Sequence, residues 1–213
     1  MRVADAIAQR LVALGVRRCF SVTGGGAMHL NDALGEAIGL DCTYLHHEQA
    51  CAMAAEGYAR ISGRPALLCV TSGPGAINAL NGVFGAFTDS IPMLVISGQV
   101  RTDTLVESCP QLALRQLGDQ EARSQQFLPA FVKRFLTLQP DDDPVAVIDA
   151  LWAQACGGRP GPVWLEVPVN LQGQRRDALE AAASAPLPFL PHPAAPLPAE
   201  LDALLEQLAV AQR

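Results

Sequence analysis

One local pattern recurs along this sequence: a short apolar strand, a glycine-rich turn and a helix. The clearest copy has an apolar run at residues 66–70, the turn Ser72-Gly73-Pro74-Gly75 and a helical stretch at residues 77–87. Glycine lets the backbone turn sharply and approach a neighbour closely, and proline presets the φ angle that begins a helix. Strands that alternate with helices in this way pair in parallel, because each helix returns the chain to the starting edge of the sheet.

The alternation extends over most of the chain. It predicts strands at residues 18–22, 42–45, 66–70, 93–97, 130–138 and 161–168, and helices at residues 3–14, 27–38, 48–61, 77–87 and 144–156. The right-handed crossover rule makes this a doubly wound α/β fold, with a mostly parallel six-stranded sheet and helices on both faces. Residues 99–129 break the pattern and predict a long, irregular crossover of the kind that often carries function.

A membrane span is the first alternative to consider, because residues 65–88 contain no charged side chain and are long enough to cross a bilayer. The turn Ser72-Gly73-Pro74-Gly75 and the amides of Asn78 and Asn81 would then lie in hydrocarbon without partners. A parallel strand buried on both faces of a sheet gives the same charge-free run in a water-soluble protein. We therefore expect no membrane segment in this stretch.

Composition limits the kind of partner that the chain can have. The net charge is −6 and no basic stripe is present, so a nucleic acid is not an expected partner. The six cysteines lie far apart without CxxC or CxxH spacing, so neither a disulfide framework nor a metal site is predicted. Charged residues at Arg2, Asp5 and Arg10 stand where a signal peptide would be apolar, which predicts a cytoplasmic location.

The sequence changes character beyond Gln174. Six prolines occur between residues 186 and 198 with no charged residue among them, which is typical of an extended linker. Leucines then recur at helical spacing from Leu201 to Leu208. We expect a domain at residues 1–174, a proline-rich linker at 175–198 and, at 199–213, the first helix of a following domain that is otherwise absent.

Three turns are candidates for a ligand site, because open parallel sheets bind ligands at the carboxyl ends of their strands. These turns are Gly24-Gly25-Gly26, His47-Glu48 and Ser72-Gly73-Pro74-Gly75. A dinucleotide fingerprint does not fit, since His29 and Asn78 stand where the third glycine of each GxGxxG pattern would be. The phosphate-binding pattern GxxxxGK[ST] is also absent from the sequence, so these glycines favour a ligand part other than a phosphate.

A set of motifs matches a known family. The motifs are residues 20–26, the HEQxAxxxAxGYAR-like run at 47–60, TSGPGxxN at 71–78, Asp89-Ser90-Ile91-Pro92, Ser97-Gly98-Gln99-Val100, Gly161-Pro162-Val163 and Val167-Pro168. Over residues 1–174 the chain resembles the N-terminal, pyrimidine-binding domain of thiamine-diphosphate enzymes of the acetolactate synthase type. Together these motifs are far more specific than any one of them.

The resemblance implies a catalytic role for Glu48. In such enzymes this glutamate hydrogen-bonds a ring nitrogen of the cofactor's aminopyrimidine and favours its imino form, which activates thiamine diphosphate. The expected reaction is carboligation or decarboxylation of a 2-oxo acid such as pyruvate. Taken alone, a glutamate at a helix start is explained by the helix dipole, an effect of about 0.3–1 kcal/mol; the surrounding motif favours the catalytic interpretation.

Further site residues follow from the same resemblance. Gln120 resembles the active-site glutamine of the corresponding family loop and is the second catalytic candidate. Contacts with the cofactor are implied for Gly25, Gly26, Glu48, Thr71, Gly73, Pro74, Gly75 and Asn78. For the SGPG glycines a packing corner that caps a helix is compatible with that role. His29 either faces the site or packs against the domain, and the sequence does not decide between the two.

The chain departs from the family pattern near Gln120 and in the first glycine turn. Asp119 stands where acetolactate synthases commonly have phenylalanine, which puts plain acetolactate formation in doubt and leaves other acyl acceptors open, keto-sugars among them. Gly25 and Gly26 replace a more usual Pro-Gly pair.

The family's diphosphate- and magnesium-binding motif, GDG followed by a distant asparagine, does not occur in this sequence. The resemblance thus implies that another domain, usually of a second subunit in a homodimer or tetramer, holds the diphosphate and Mg²⁺. The chain alone is then expected to be inactive, either as a fragment of a longer polypeptide or as the alpha subunit of a split 2-oxo acid decarboxylase. FAD binding is left open. A non-catalytic interaction module with this fold is the remaining alternative.

Overall fold

Six parallel strands form one sheet in the order β2-β1-β3-β4-β6-β5. The structure is a computed structural model and describes residues 1–177, 179, 183 and 198–211. The strands are β1 Arg18–Ser21, β2 Asp41–Tyr44, β3 Ala66–Val70, β4 Met93–Gln99, β5 Arg134–Thr137 and β6 Pro162–Pro168. The predicted doubly wound α/β fold is confirmed.

Helices cover both faces of the sheet. They are α1 Val3–Ala13, α2 Met28–Glu36, α3 Glu48–Ser62, α4 Pro74–Thr88, α5 Pro144–Cys156, the short α6 Val169–Gln172 and α7 Pro198–Val210. The first, second and fifth pack on one face against side chains such as Leu67 and Leu94. The third and fourth pack on the other face against Leu68 and Val95. Successive side chains of a strand point to opposite faces, so a strand covered on both sides is apolar throughout, which explains the charge-free run.

Two elements begin three or more residues away from their predicted starts, and the other boundaries within residues 1–174 agree within two residues. Helix α4 begins at Pro74 rather than at residue 77, because Gly73 is its N-cap and the proline occupies the first turn, where its missing N–H costs nothing. Strand β5 covers only Arg134–Thr137 of the predicted 130–138, since Leu128–Ala130 forms a 3-10 helix that contains Pro129. The crossover before β5 is irregular and contains four 3-10 helices, at Thr102–Thr104, Val106–Ser108, Ser124–Gln126 and Leu128–Ala130.

Helices α3 and α4 approach each other closely at Gly82. A Cβ atom built on this glycine would lie 2.6 Å from Ala52 Cβ and 2.8 Å from the backbone nitrogen of Met53. Atoms of this kind do not approach within 3 Å, so only glycine permits the observed separation of the two helices. Gly85, one turn later on the same helix, has no neighbour within 4 Å of the corresponding position.

The same substitution is therefore expected to have opposite effects at these two glycines. Gly82→Ala should lower the free energy of unfolding by roughly 1–3 kcal/mol because it forces the helices apart. Gly85→Ala should leave it unchanged or raise it by up to about 1 kcal/mol, because alanine favours the helix. Urea unfolding of both variants tests this, and equal effects of the two changes would contradict the packing described here.

Residues 174 and 176 are hydrogen-bonded to the N-terminus of the chain. The backbone nitrogen of Val3 donates to Gln174 O at 2.9 Å and that of Arg176 donates to Met1 O at 3.0 Å. Most of the predicted linker at 175–198 lies outside the described residues, and the division into domains stays a prediction. The helix predicted at 199–213 corresponds to α7, whose residues 201–210 are exposed. In the described part of the chain, no helix combines the length and hydropathy that a membrane span requires.

Candidate functional site

Strand order reverses between β1 and β3, because the chain passes from β1 to β2 on one side of the sheet and then to β3 on the other. Doubly wound sheets bind ligands in the crevice at the carboxyl ends of such a strand pair. The three turns singled out in the sequence follow β1, β2 and β3 and lie at this edge. The topology therefore brings the three candidate turns together.

Glu48 is the first residue of α3 and lies beside the start of α4. Its N-cap is His47, whose Nδ1 accepts a hydrogen bond from the backbone nitrogen of Gln49 at 3.1 Å. Asn78 Nδ2 donates to Glu48 Oε2 at 3.0 Å, and this bond fixes the orientation of the carboxylate. Among the described residues, Glu48 Oε1 has no hydrogen-bond donor. One oxygen of the carboxylate is thus held by the protein and the other is available to a ligand.

Thr71 occupies the centre of the site and explains two of its glycines. The hydroxyl Oγ1 accepts a hydrogen bond from the backbone nitrogen of Gly26 at 3.1 Å. A Cβ atom on Gly24 would lie 2.5 Å from Thr71 Cβ, and one on Gly75 would lie 2.7 Å from Thr71 Cγ2. The Gly75 position would also lie 3.3 Å from Glu48 Oε1. Glycine at residue 75 therefore lets Thr71 and the Glu48 carboxylate pack closely against the start of α4.

Gln120 reaches the site from the irregular crossover. Its φ angle is 54°, a left-handed conformation that is uncommon for residues other than glycine. Gly73 has a φ angle of 57°, and a Cβ atom there would lie 2.1 Å from the carbonyl oxygen of Gln120. The turn before α4 and the crossover loop are therefore in direct backbone contact. Pro74 follows at the first position of α4 and is exposed.

The predicted site residues fall into two adjoining groups. A cleft of about 470 Å³ gathers Gly25, Gly26, Thr71 and Gln120, together with Asp119 of the same loop. Glu48 and Asn78 do not line this cleft and form a separate pair at the ends of the two helices. Thr71 joins the two groups, because its hydroxyl bonds Gly26 while its methyl group packs at Gly75.

The position of His29, which the sequence left open, is given by its packing. A Cβ atom on Gly173 would lie 2.9 Å from His29 Nε2, so the imidazole lies directly against the backbone that follows α6. The described residues contain no group of three or more His, Cys, Asp or Glu side chains that could hold a metal ion.

Sequence reasoning missed three polar residues around the crossover loop. Glu121 accepts hydrogen bonds from the backbone nitrogens of residues 106, 117 and 118 at 2.8–3.2 Å, and so folds the loop around its carboxylate. Glu166 and Gln99 are 3% and 1% exposed and hydrogen-bond each other below the loop. Burial removes the Glu166 carboxyl from water and raises its pKa to about 7. Hydrogen bonds from Ser124, Thr137 and Gln99 act in the opposite direction and lower the pKa, but their effect is smaller than that of burial. A charged residue within the apolar strand β6 was the signal that could have identified it.

Comparison with known proteins decides the family. Residues 1–123 match the model of the thiamine pyrophosphate enzymes, specifically their N-terminal TPP binding domain. The chain belongs to this family. It is an acetolactate synthase-like domain of a thiamine-diphosphate enzyme family, as the motifs predicted.

Relatives of this domain include acetolactate synthases of bacteria and plants. The chain is 34% identical to the acetolactate synthase isozyme 3 large subunit of Escherichia coli over 172 residues, which cover 79% of this chain and 28% of that protein. It is 36% identical to a probable chloroplastic acetolactate synthase 2 of Oryza sativa, covering 80% of this chain and 24% of the relative. The chloroplastic enzyme of Arabidopsis thaliana is 34% identical over the same share of the chain. The chain thus spans about a quarter of the length of the curated relatives it matches.

The residues of this site fit the pyrimidine end of thiamine diphosphate. An aminopyrimidine needs a carboxyl group beside one ring nitrogen, and Glu48 Oε1, which has no hydrogen-bond donor among the described residues, can supply it. The glycine turns carry no cationic side chain for a diphosphate, which agrees with the absence of a nucleotide fingerprint in the sequence.

Proposed function

We propose that this domain provides the pyrimidine-binding half of a thiamine-diphosphate carboligase or decarboxylase that acts on a 2-oxo acid such as pyruvate. The observation that carries the proposal is the geometry of Glu48, whose Oε2 is held by Asn78 while Oε1 has no hydrogen-bond donor among the described residues. Family membership supports it independently.

Each polar group of the site has a distinct role in this proposal. Glu48 Oε1 shares a proton with a pyrimidine ring nitrogen, and Asn78 keeps the carboxylate in the orientation that this requires. When bound, thiamine diphosphate supplies the carbanion chemistry that protein side chains lack. Gln120 lines the cleft beside Thr71 and Gly26, which receives the substrate in this proposal. Gly25, Gly73 and Pro74 shape the walls of the cofactor pocket.

The site is completed by another domain in this proposal. Ile77 and Phe84 of α4 are 50% and 48% exposed, although they lie on the helix that carries Asn78. Burying such side chains against a second surface is favourable, at about 25 cal/mol for each Å² of apolar area. We propose that the diphosphate-binding domain of a second subunit, with its Mg²⁺, covers this surface in a cytoplasmic homo-oligomer. Neither FAD nor a nucleic acid is part of the proposal.

The experiment is a pyruvate-consumption assay on the protein purified from its own cells, with whatever domain or subunit completes the site. Consumption is expected only when thiamine diphosphate and Mg²⁺ are both supplied. The 213-residue chain by itself should show no tight cofactor binding in calorimetry, because it lacks the diphosphate motif. Protein that binds the cofactor but consumes neither pyruvate nor a related 2-oxo acid would contradict the proposal, as would tight stoichiometric binding by the isolated chain.

A further inference from the structure

A buried polar cluster lies beneath the crossover loop, outside the predicted site. It consists of Gln99 at the end of β4, Glu166 on β6, Thr137 on β5 and Ser124 of the loop, and Gln99, Glu166 and Ser124 are at most 3% exposed. Burying a carboxylate is costly unless it is well hydrogen-bonded, and an apolar group of the same size is often as stable. The position of these groups therefore needs an explanation other than stability.

The amide of Gln99 links the sheet to the loop. Its Oε1 accepts a hydrogen bond from the backbone nitrogen of Val100 at 2.8 Å. Its Nε2 donates to Glu166 Oε1 at 3.0 Å and to the carbonyl oxygen of Ala122 at 3.2 Å. Both hydrogens of the Gln99 NH2 group are used. The hydrogen bond to Glu166 orients the amide so that this NH2 group, and not Oε1, lies against the carboxyl group. The NH2 group of Gln99 therefore donates both to the carboxyl oxygen of Glu166 and to the carbonyl oxygen of the loop.

Ala122 is only two residues beyond Gln120, and the segment between them is tightly held. Gly73 touches the carbonyl oxygen of Gln120 on one side, and the Gln99 amide holds the carbonyl of Ala122 on the other. Ser124 donates to the same carbonyl from its backbone nitrogen at 2.8 Å and from Oγ at 3.2 Å. Glu121 holds the preceding turn around its carboxylate, and the hydrogen bond from Gln99 fastens this turn to the sheet at Ala122.

We propose that Glu166 and Gln99 are positioning residues that hold Gln120 at the cleft through the carbonyl of Ala122. Glu166 orients the Gln99 amide, the amide fastens the loop, and the fastened loop presents Gln120 beside Thr71. The inference rests on the proposed function for the role of Gln120, but the attachment of the loop can be tested without any cofactor.

The test is hydrogen exchange of the loop amides of residues 117, 118, 121 and 124 in the 213-residue chain. Gln99→Leu and Glu166→Leu should each speed this exchange by roughly tenfold, the effect of losing one or two net hydrogen bonds. Glu166→Gln keeps an oxygen that can accept from Gln99 and should preserve the exchange rates of the native chain. Thr137→Val removes a different bond to Glu166, that from Thr137 Oγ1 at 3.1 Å, and serves as the matched control with no expected effect on the loop.

The location of the amides whose exchange becomes faster distinguishes a positioning role from a general packing role. The inference requires faster exchange in the loop while the amides of Leu68 and Val70 in β3 keep their rates. Unchanged loop exchange in Gln99→Leu, uniform acceleration over the whole sheet, or equal effects of Glu166→Leu and Glu166→Gln would each overturn it. None of these readouts involves turnover, so a failure here is distinct from a failure of the assay for pyruvate consumption.

Discussion

Glu48→Gln is expected to lower kcat of the complete protein by a factor of roughly 10² to 10⁴, the contribution typical of a positioned acid–base group. Glutamine matches glutamate in shape and can still accept the hydrogen bond from Asn78 Nδ2, so the helix ends should keep their arrangement. The amide has no acidic proton to share with a pyrimidine nitrogen. The loss should therefore appear in kcat, while folding and the shape of the cleft are preserved.

Glu56→Gln is the matched control for this experiment, because it makes the same chemical change two turns later on the same helix. Glu56 pairs with Arg60 through its Oε1 and takes no part in the site. The two variants and the parent protein are compared by initial rates at saturating cofactor and by calorimetric binding of thiamine diphosphate. If Glu48→Gln turns over pyruvate as fast as Glu56→Gln, the assignment of Glu48 as the activating group is wrong.

The fold could be predicted from the sequence because buried parallel strands carry a simple pattern. Strand β3 was placed at its exact bounds, since Ala66–Val70 is apolar on both faces and is followed directly by a glycine turn. Its neighbours end at comparable turns, and the carboxyl ends of parallel strands meet at one edge. The prediction that the three turns come together at this edge therefore required no knowledge of side-chain contacts.

The detailed geometry of the site could not be predicted in the same way. The 3.0 Å contact between Glu48 and Asn78 depends on how closely α3 and α4 approach. Gly82 permits this approach because it packs against Ala52 and Met53, and the sequence does not show which residues of α3 it meets. The loop that carries Gln120 is held by bonds from backbone groups to the carboxylate of Glu121. Such bonds join residues without a regular spacing, so periodicity gives no signal for them.

Glu166→Gln is expected to make the stability of the domain less sensitive to pH. Burial raises the pKa of Glu166 in the folded state to about 7, whereas an exposed glutamate titrates near 4.5. Below the lower value the carboxyl is protonated in both states, and above about 7 it is ionised in both. Between these values the folded state binds the proton and the unfolded state does not, so the stabilising contribution is lost as pH rises through this window.

The size of the effect follows from the same shift. One pKa unit corresponds to about 1.4 kcal/mol, so the free energy of unfolding of the native domain should fall by about 2 kcal/mol relative to Glu166→Gln between pH 5 and pH 8. Urea unfolding of both proteins at several pH values measures this difference. The other titrating groups are the same in both proteins, so their contributions cancel when the two free energies are subtracted. Glu36→Gln, on the exposed end of α2, gives the baseline for the same change at the surface.

A difference in the free energy of unfolding that stays constant with pH, or that favours the native glutamate more strongly at pH 8, would contradict the burial of an ionisable carboxyl at residue 166. A variant more stable than the native chain at pH 8 would mean that Glu166 is retained at a cost in stability, as expected of a residue that positions the loop rather than one that holds the sheet together.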